Sequence, residues 1–329
     1  MSAAELALWA RMHHLTRADI QSALWKSRTL VKTYCMRGTL HLLPATDSPI
    51  YISALKRSRE EAVHRVISKF GITQKEIDRL NEALMEALHA GPMTKRELSE
   101  QTLPFVGKKM RTWMNHVWNI FRPAMVEGLI CYGPDKGKEP TFVRADNWLP
   151  RQKEIPEREA KQILMRRYLK AYGPATLQDF SRWTGILMNE TRVIRELLDE
   201  ELIEVQVEDK KGLILREDYE QLRNSYLDDQ VLRLLPSFDP YMLAHVDKNH
   251  LMDSNYYKRV YRNQGWISPM VLLNGRVIGI WSYTRRGKVL SLKIEPFEKF
   301  PKIIHAKIEE ESASLGSFLE TSWEVKTMR

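Results

Sequence analysis

The chain has 329 residues, a net charge of +9 and an aromatic content of 9%, which excludes a disordered protein and predicts two or three domains. Its two cysteines lie in apolar surroundings without a CxxC partner, so the sequence predicts neither a disulfide framework nor a zinc site. Because the sequence has neither a signal peptide nor a run of about 18 apolar residues, we expect a cytoplasmic protein.

The positive charge is concentrated at the two ends of the chain. Residues 1–72 carry 11 Lys and Arg against 5 Asp and Glu, and residues 231–329 carry 15 against 10. Residues 73–150 are nearly neutral, with 11 against 10, whereas residues 151–230 are acidic, with 14 against 17. A polyanion would therefore be held mainly by the first and last regions. A basic isoelectric point is also common among soluble bacterial proteins, so charge alone does not identify the partner.

The first predicted elements resemble part of a winged helix, the helix-turn-helix variant with an appended β-hairpin. Leu6–Met12 and Ala18–Trp25 have helical patterns, and Thr29–Leu43 has the pattern of a β-hairpin. Thr16 and Asp19 form a capping box before the second helix. The long helix that should open such a module is missing, so we predict an N-terminally incomplete winged helix over residues 1–72.

A repeat marks the next two modules. Gly-Pro-Met-Thr at 91–94 returns as Gly-Pro-Ala-Thr at 173–176, 82 residues later. In both copies Gly-Pro ends an amphipathic helix, one running from Thr73 to about His89 and the other over Pro156–Ala171. The threonine of each copy then caps a short helix, Lys95–Thr102 or Leu177–Thr184. A period of this length indicates a repeated domain.

Each copy continues with a third helix and a β-hairpin. Val106–Glu127 and Glu190–Glu200 are the third helices. The predicted hairpin strands are Leu129–Tyr132 with Thr141–Arg144, and Glu204–Val207 with Leu213–Leu215. Three helices followed by a hairpin are the order of a winged helix. We therefore predict winged helices over residues 73–150 and 151–230.

The last region, residues 231–329, changes from helical to strand periodicity. Its predicted strands are Ile267–Val271, Arg276–Tyr283 and Val289–Ile294, and a helix over Lys302–Leu315 covers one edge. Asn-Gly at 274–275 is a strong type I′ turn signal between two of these strands. This pattern predicts a small antiparallel β-barrel or sandwich. The fold class is therefore mainly α with β: three tandem winged-helix modules and a C-terminal small antiparallel β-barrel.

Several stretches resemble the tandem winged-helix proteins related to AlkZ, a family of DNA glycosylases that unhook interstrand crosslinks. They cover nearly the whole chain in the family's order: Leu-Trp-Ala-Arg at 8–11, Arg-Gly-Thr-Leu-His-Leu at 37–42, Tyr-Gly-Pro-Ala-Thr at 172–176, Asp-Phe-Ser-Arg-Trp-Thr-Gly at 179–185, Leu-Pro-Ser-Phe-Asp-Pro-Tyr at 235–241 and Gly-Trp-Ile-Ser-Pro at 265–269. The resemblance implies three winged helices and a barrel arranged around DNA. It also implies excision of alkylated or crosslinked purines.

One departure from the family concerns the catalytic motif. The family places a Gln–apolar–Gln or Gln–apolar–Asp triplet just before the stretch that here reads Ser2 to Trp9. This chain begins at Met1, directly after the place where that triplet should end, and Gln21 has no Gln or Asp two residues later. We hypothesise that Met1 is an internal methionine of a longer reading frame, or that the chain is truncated. The resemblance therefore assigns no catalytic residue here, and the chain as given is expected to bind DNA without excising bases.

The first candidate DNA contacts are Arg37, Thr39 and His41. They alternate in the predicted hairpin, so on a strand they would share one face. Three polar groups on one face suit contact with phosphates or with a flipped base. The structural alternative is a network in which Arg37 pairs with an acid such as Asp47.

Basic residues at module edges complete the candidate DNA-binding set. They are Lys108, Lys109 and Arg111 at the start of the middle module's third helix, Lys136 and Lys138 in one wing, Lys210 and Lys211 in the other, and Arg285, Arg286 and Lys288 at the barrel's tight turn. Solvated turns and exposed helix faces use the same residues for solubility, so each assignment also has a purely structural interpretation.

Other conspicuous residues fit structural roles. Trp113, Trp118, Trp183 and Trp281 lie in apolar periodic runs and are expected in the core. Asp239 is expected to form a turn. The histidines show no ligand spacing, so we expect no metal and no cofactor.

The sequence thus predicts a monomeric, nucleoid-associated protein that binds double-stranded, possibly damaged, DNA and resembles DNA-repair glycosylases. Two alternatives stay open. One is a non-catalytic winged-helix regulator or architectural DNA-binding protein, and the other is a protein whose winged helices mediate protein contacts.

Overall fold

A computed structural model describes residues 2–107, 109–112, 121–151, 153–226, 231–287 and 289–327, apart from the side chains of Val66 and Arg286. The chain divides into two compact units. We call Gln21–Leu215 the central unit, and Met1–Ile20 together with Arg216–Arg329 the terminal unit. Within the described residues, no helix combines the length and the apolar character that crossing a bilayer requires.

The central unit contains most of the helices. They are Arg17–Trp25, Ser48–Ile67, Gln74–Ala87, Lys95–Thr102, Arg122–Val126, Ala145–Trp148, Glu157–Tyr172, Leu177–Thr184 and Met188–Leu197, and residues 109–112 are also helical. The division between the two units falls within the first of these helices, after Ile20. Its strands are β1 (Leu30–Tyr34), β2 (Leu40–Pro44), β3 (Met93–Thr94), β4 (Ile130–Lys136), β5 (Glu139–Arg144), β6 (Leu202–Val207) and β7 (Lys210–Leu215).

The repeat predicted from Gly-Pro-x-Thr is confirmed in three dimensions. In the first copy, β3 follows Gly-Pro and pairs with β5, the second strand of its hairpin. In the second copy, Ala175 follows Gly-Pro and bridges to Leu213 on β7, again the second strand of the hairpin. The residue before each capping threonine therefore joins the sheet, which ties the short helix to the hairpin in both copies.

The predicted capping boxes are also confirmed. The Thr94 and Thr176 hydroxyls accept bonds from the backbone N–H groups of Glu97 and Asp179, whose carboxylates in turn accept from the threonine N–H groups. Thr73 makes the same reciprocal bonds at the start of Gln74–Ala87. Each box satisfies N–H groups that the first helical turn leaves without partners, which explains why these helices begin where the sequence places them.

The sequence did not reveal one major element, the helix Ser48–Ile67. It packs against Glu157–Tyr172 of the second copy, and the Ser53 hydroxyl donates to the Ile155 carbonyl at 2.7 Å. Its buried Ile50, Ala54 and Leu55 join a core that includes Tyr168 and Trp183. A second core fills the first copy, around Leu80, Leu84 and Phe142.

The terminal unit is built on a curled five-stranded sheet. Its strands are β8 (Leu232–Leu235), β9 (Met270–Leu273), β10 (Arg276–Arg286), β11 (Val289–Pro296) and β12 (Ser322–Thr327), in the order β12-β11-β10-β9-β8. Its helices are Ala3–Trp9, Tyr219–Arg223, Pro240–Leu243, Tyr257–Val260 and Lys302–Phe318.

The expected hairpin and covering helix are present, but the sheet is not purely antiparallel. Asn274 and Gly275 both have positive φ, as a type I′ turn requires, and join β9 to β10. However, β12 pairs with β11 in parallel. The helix Lys302–Phe318 separates these two strands in sequence, and a crossover of that length lets the chain return in the same direction.

Candidate nucleic-acid interface

The turn between β1 and β2 differs from its predicted geometry. Arg37 lies in a short 3-10 turn, Met36–Gly38, with φ +53, so Arg37 does not share a strand face with His41. The reversal takes place at Arg37 and Gly38, both of positive φ, and it shortens the strands that alternation alone suggested. The Arg37 guanidinium donates to the Trp183 carbonyl at the end of Leu177–Thr184.

The proposed structural partner of Arg37 is also wrong. Asp47 is bound by Arg167, whose Nη1 and Nη2 lie 2.7 and 2.9 Å from the two carboxylate oxygens. A bidentate pair occupies the Asp47 carboxylate, and this leaves Arg37 with a backbone carbonyl as its acceptor.

The backbone conformation of Gly38 favours glycine, and the end of a flexible side chain lies close to its α-carbon. Its φ is +67, and a Cβ at this position would lie 1.6 Å from Nη2 of Arg122. The Arg122 guanidinium therefore lies directly over the turn. Among the described residues its Nε has no hydrogen-bond partner, although that atom is buried.

Four arginines surround this turn, and we call Arg37, Arg59, Arg122 and Arg182 the arginine cluster. Burial lowers the pKa of Arg37 and of Arg59, and the nearby charges of Arg182 and Arg122, respectively, lower them further. Arg59 donates to the carbonyls of Tyr34, Tyr51 and Ile52 rather than to a carboxylate. The cluster thus places several positive charges around the β1–β2 turn, and backbone carbonyls are the acceptors of Arg37 and Arg59.

Thr39 and His41 both follow the turn, and His41 is only half-buried whereas Thr39 is exposed. Thr39 is exposed and its hydroxyl donates to the Met36 carbonyl at 3.1 Å. The His41 Nδ1 lies 2.8 Å from the Thr39 carbonyl oxygen, so Nδ1 carries the proton in this contact. Burial lowers the pKa of the imidazole, which favours its neutral form beside the arginine cluster.

In the first copy of the repeat, the predicted contacts fall into three groups. Lys108 lies outside the described residues. Lys109 and Arg111 are exposed on the helical residues 109–112, with the Arg111 Nε bonded to the Val106 carbonyl at 3.2 Å. Lys136 forms an ion pair with Glu97, whereas Lys138 is exposed at the hairpin tip. Lys136 therefore joins the hairpin to the capped helix, while Lys138 extends into solvent.

In the second copy, Lys210 and Lys211 are exposed at the start of β7. Lys211 forms a cross-strand ion pair with Glu204 at 2.7 Å. Lys210 also has an interaction within the described structure, so both lysines take part in local contacts.

At the tight turn of the terminal unit, Arg285 is exposed and its Nε donates to the Gly287 carbonyl at 3.2 Å. Arg286 lies on β10 opposite Val289, and its side chain is outside the described structure. Lys288 is likewise outside the described residues.

An ion pair that sequence reasoning missed joins Arg11 to Asp239. The two Arg11 Nη atoms lie 2.7 and 2.9 Å from the Asp239 oxygens, and the Asp239 side chain is fully buried. Asp239 also caps Pro240–Leu243 by accepting from the Tyr241 N–H, which agrees with its expected turn role. Arg11 and Asp239 both lie in stretches that resemble the family. Their shared presence in those stretches was the sequence signal that could have indicated the pair.

The tryptophans that the sequence placed in the core, and both cysteines, have structural roles where they are described. Trp183 and Trp281 are buried as expected, and Trp113 and Trp118 lie outside the described residues. Burial raises the pKa of the Cys35 and Cys131 thiols to about 11 and about 12. In the described parts of the chain, no group of three His, Cys, Asp or Glu side chains is arranged to hold a metal ion.

The structure groups four arginines around the β1–β2 turn and leaves Lys109, Arg111 and Lys138 exposed, and comparisons with known proteins identify the family. A family model described as DNA glycosylase AlkZ-like matches residues 1–318. The chain therefore belongs to the AlkZ-like DNA glycosylase family.

A protein and a solved structure from Streptomyces sahachiroi are similar to it. The chain is 30% identical over 298 residues to an interstrand DNA cross-link repair glycosylase, with 88% of this chain and 78% of that protein covered. It is also similar to the solved structure of the DNA glycosylase AlkZ, with a TM-score of 0.82 and 27% identity over 99% of this chain and 89% of that chain.

Proposed function

We propose that this protein binds damaged double-stranded DNA and that, together with the family's Gln–apolar–Gln or Gln–apolar–Asp triplet, it acts as a DNA-repair glycosylase on alkylated or crosslinked purines. Family membership over residues 1–318 is the observation that carries the proposal. The reaction would hydrolyse the N-glycosidic bond, which breaks readily because an alkylated purine is cationic and leaves as a neutral base. Water then adds to the anomeric carbon of the oxocarbenium-like sugar and releases a proton, which leaves a hydroxyl group where the base was attached.

We also infer that the two repeated segments are winged helices. The support is the element order of each copy and the short strand that joins its capped helix to its hairpin. The segment with Arg17–Trp25 and the β1–β2 hairpin would be the remaining module. In such modules the hairpin and the third helix commonly contact DNA. The proposed module boundaries are 1–72, 73–150 and 151–230, followed by 231–329.

Charge distribution supports DNA contact by particular residues. Among the wing lysines, we favour Lys138 over Lys136 because Glu97 already neutralises Lys136. The arginine cluster beside the β1–β2 turn supplies positive charge near the exposed Thr39. Lys109, Arg111 and Arg285 are exposed and suited to phosphates, which accept readily from Lys and Arg.

The sequence dependence of DNA binding separates repair from regulation, and its salt dependence tests DNA binding itself. We expect the affinity for duplex DNA to fall steeply as salt rises and to depend little on sequence. The logarithm of the association constant should fall by about 0.9 per phosphate neutralised for each tenfold rise in salt concentration. A DNase footprint confined to one defined sequence would support a transcription regulator instead. Absence of salt-dependent DNA binding would reject both interpretations and favour a role in protein contacts.

A further inference from the structure

Two exposed aromatic side chains meet on the terminal unit. Phe238 and Trp266 lie 28 positions apart in sequence, yet their ring centroids are 5.1 Å apart with the planes at 85°. Phe238 is 41% exposed and Trp266 is 50% exposed. Large aromatic residues usually bury most of their surface, so two exposed aromatic side chains in contact indicate a binding surface.

The backbone presents both rings in an uncommon way. Phe238 has φ +58, a left-handed conformation that bulky residues rarely adopt. Gln264 and Gly265, immediately before Trp266, have φ +59 and +75. Backbone strain of this kind persists only where surrounding contacts impose it, and it is concentrated at functional sites.

Buried contacts hold both presenting turns in place. The Asp239 carboxylate, next to Phe238, binds Arg11 and the Tyr241 N–H. Trp266 closes a small hairpin: its carbonyl accepts from the Arg262 N–H at 2.8 Å, and Tyr261 bridges to Ile267. The aromatic pair is therefore fixed before any partner binds, which lowers the entropy lost on contact.

The charge around the pair favours a polyanionic partner. Residues 254–266 contain Lys258, Arg259 and Arg262 and no acidic residue. Beside the other ring, the Asp239 charge is compensated by Arg11. The polar residues Arg262, Asn263 and Gln264 are all exposed next to Trp266. Exposed aromatic rings on a positively charged segment are typical of surfaces that stack nucleobases while Lys and Arg pair with the phosphates.

We propose that Phe238 and Trp266 form a stacking surface for an unpaired base of the bound DNA. The proposal rests on the proposed function, because it takes DNA as the partner. Every base has a π-face, so the contact would be indifferent to sequence but would require a base released from the helix. The aromatic pair would thereby help the protein to distinguish distorted DNA from regular duplex.

The test compares two DNA probes of the same sequence, one fully paired and one with a single bulged nucleotide. Affinities are measured by fluorescence anisotropy for the wild type and for F238A, W266A, W266L and W266F. We expect the wild type to prefer the bulged probe. Both alanine variants and W266L should bind that probe about 5- to 100-fold more weakly, the loss of one stacked base, while W266F should retain most of the preference.

Y226A provides the matched control, because Tyr226 is 79% exposed in the same unit and no DNA role is assigned to it. Its preference should equal that of the wild type. If the wild type binds both probes equally, or W266A and W266L keep the preference, the stacking proposal is overturned while DNA binding stands. If the wild type binds neither probe, the proposed function itself fails and the stacking proposal falls with it. Circular dichroism confirms that each variant is folded.

Discussion

Replacing Asp239 with asparagine should destabilise the terminal unit by about 2–3 kcal/mol. The fully buried carboxylate accepts two bonds from Arg11 and one from the Tyr241 N–H. Breaking a buried ion pair costs about 3–5 kcal/mol, but the Arg11 side chain is 43% exposed and water recovers part of that energy. The asparagine oxygen can still cap Pro240–Leu243, so the loss arises mainly from Arg11.

Hydrogen exchange followed by mass spectrometry measures this loss within one unit. Peptides covering residues 232–296 should exchange about 30- to 150-fold faster in D239N, which corresponds to 2–3 kcal/mol. Peptides covering residues 157–215 belong to the central unit and serve as the internal control. Their exchange should not change.

A double-mutant cycle with D239A and R11A isolates the pair itself. If the ion pair stabilises the unit as the geometry indicates, the two effects should differ from additivity by more than about 1 kcal/mol. Additive effects, or a D239N cost below about 0.5 kcal/mol, would refute the reasoning. The buried carboxylate would then be satisfied without Arg11.

Two further substitutions test individual contacts of the central unit. G38A should lower the free energy of unfolding in urea by about 1 kcal/mol more than G137A. The two glycines have nearly equal φ (+67 and +68), but only a Cβ at Gly38 would displace Arg122. Equal losses in the two variants would contradict this packing. Lys136 and the Thr94 cap lower the pKa of Glu97 from 4.5 to about 2, so its stabilisation is present above pH 4.5 and is lost as the pH falls towards 2. E97Q should therefore unfold at a lower temperature than the wild type at pH 7 and converge with it near pH 2, and a pH-independent difference would count against the pair.

Local signals predicted the repeated part of the fold well. Thr94 and Thr176 announce their helices through capping boxes, and Gly-Pro ends the helix before each of them. These signals act within four residues, so they do not depend on distant packing. The helices Lys95–Thr102 and Leu177–Thr184 accordingly begin and end where the sequence places them.

Features that depend on tertiary contacts escaped prediction. Alternation placed Arg37 on a strand, but the chain reverses at Arg37 and Gly38, and the structure supports that turn through Arg122, which is distant in sequence. Likewise β12 pairs in parallel with β11 across an intervening helix, a partner choice that no local pattern encodes. The candidate DNA surface shares this limit, because Lys136 and Lys138 look alike in sequence and differ only in the proximity of Glu97.

The central claim, that this member of the AlkZ-like family acts in DNA repair, is tested most directly by base release from alkylated duplex DNA. Duplex containing 7-methylguanine is incubated with the 329-residue chain, and with the same chain preceded by a segment that carries a Gln–apolar–Gln triplet. Free base is quantified by liquid chromatography. We expect the extended protein to release 7-methylguanine above the spontaneous rate, and both forms to bind DNA in a salt-dependent way. Binding without base release by either form would contradict the glycosylase assignment.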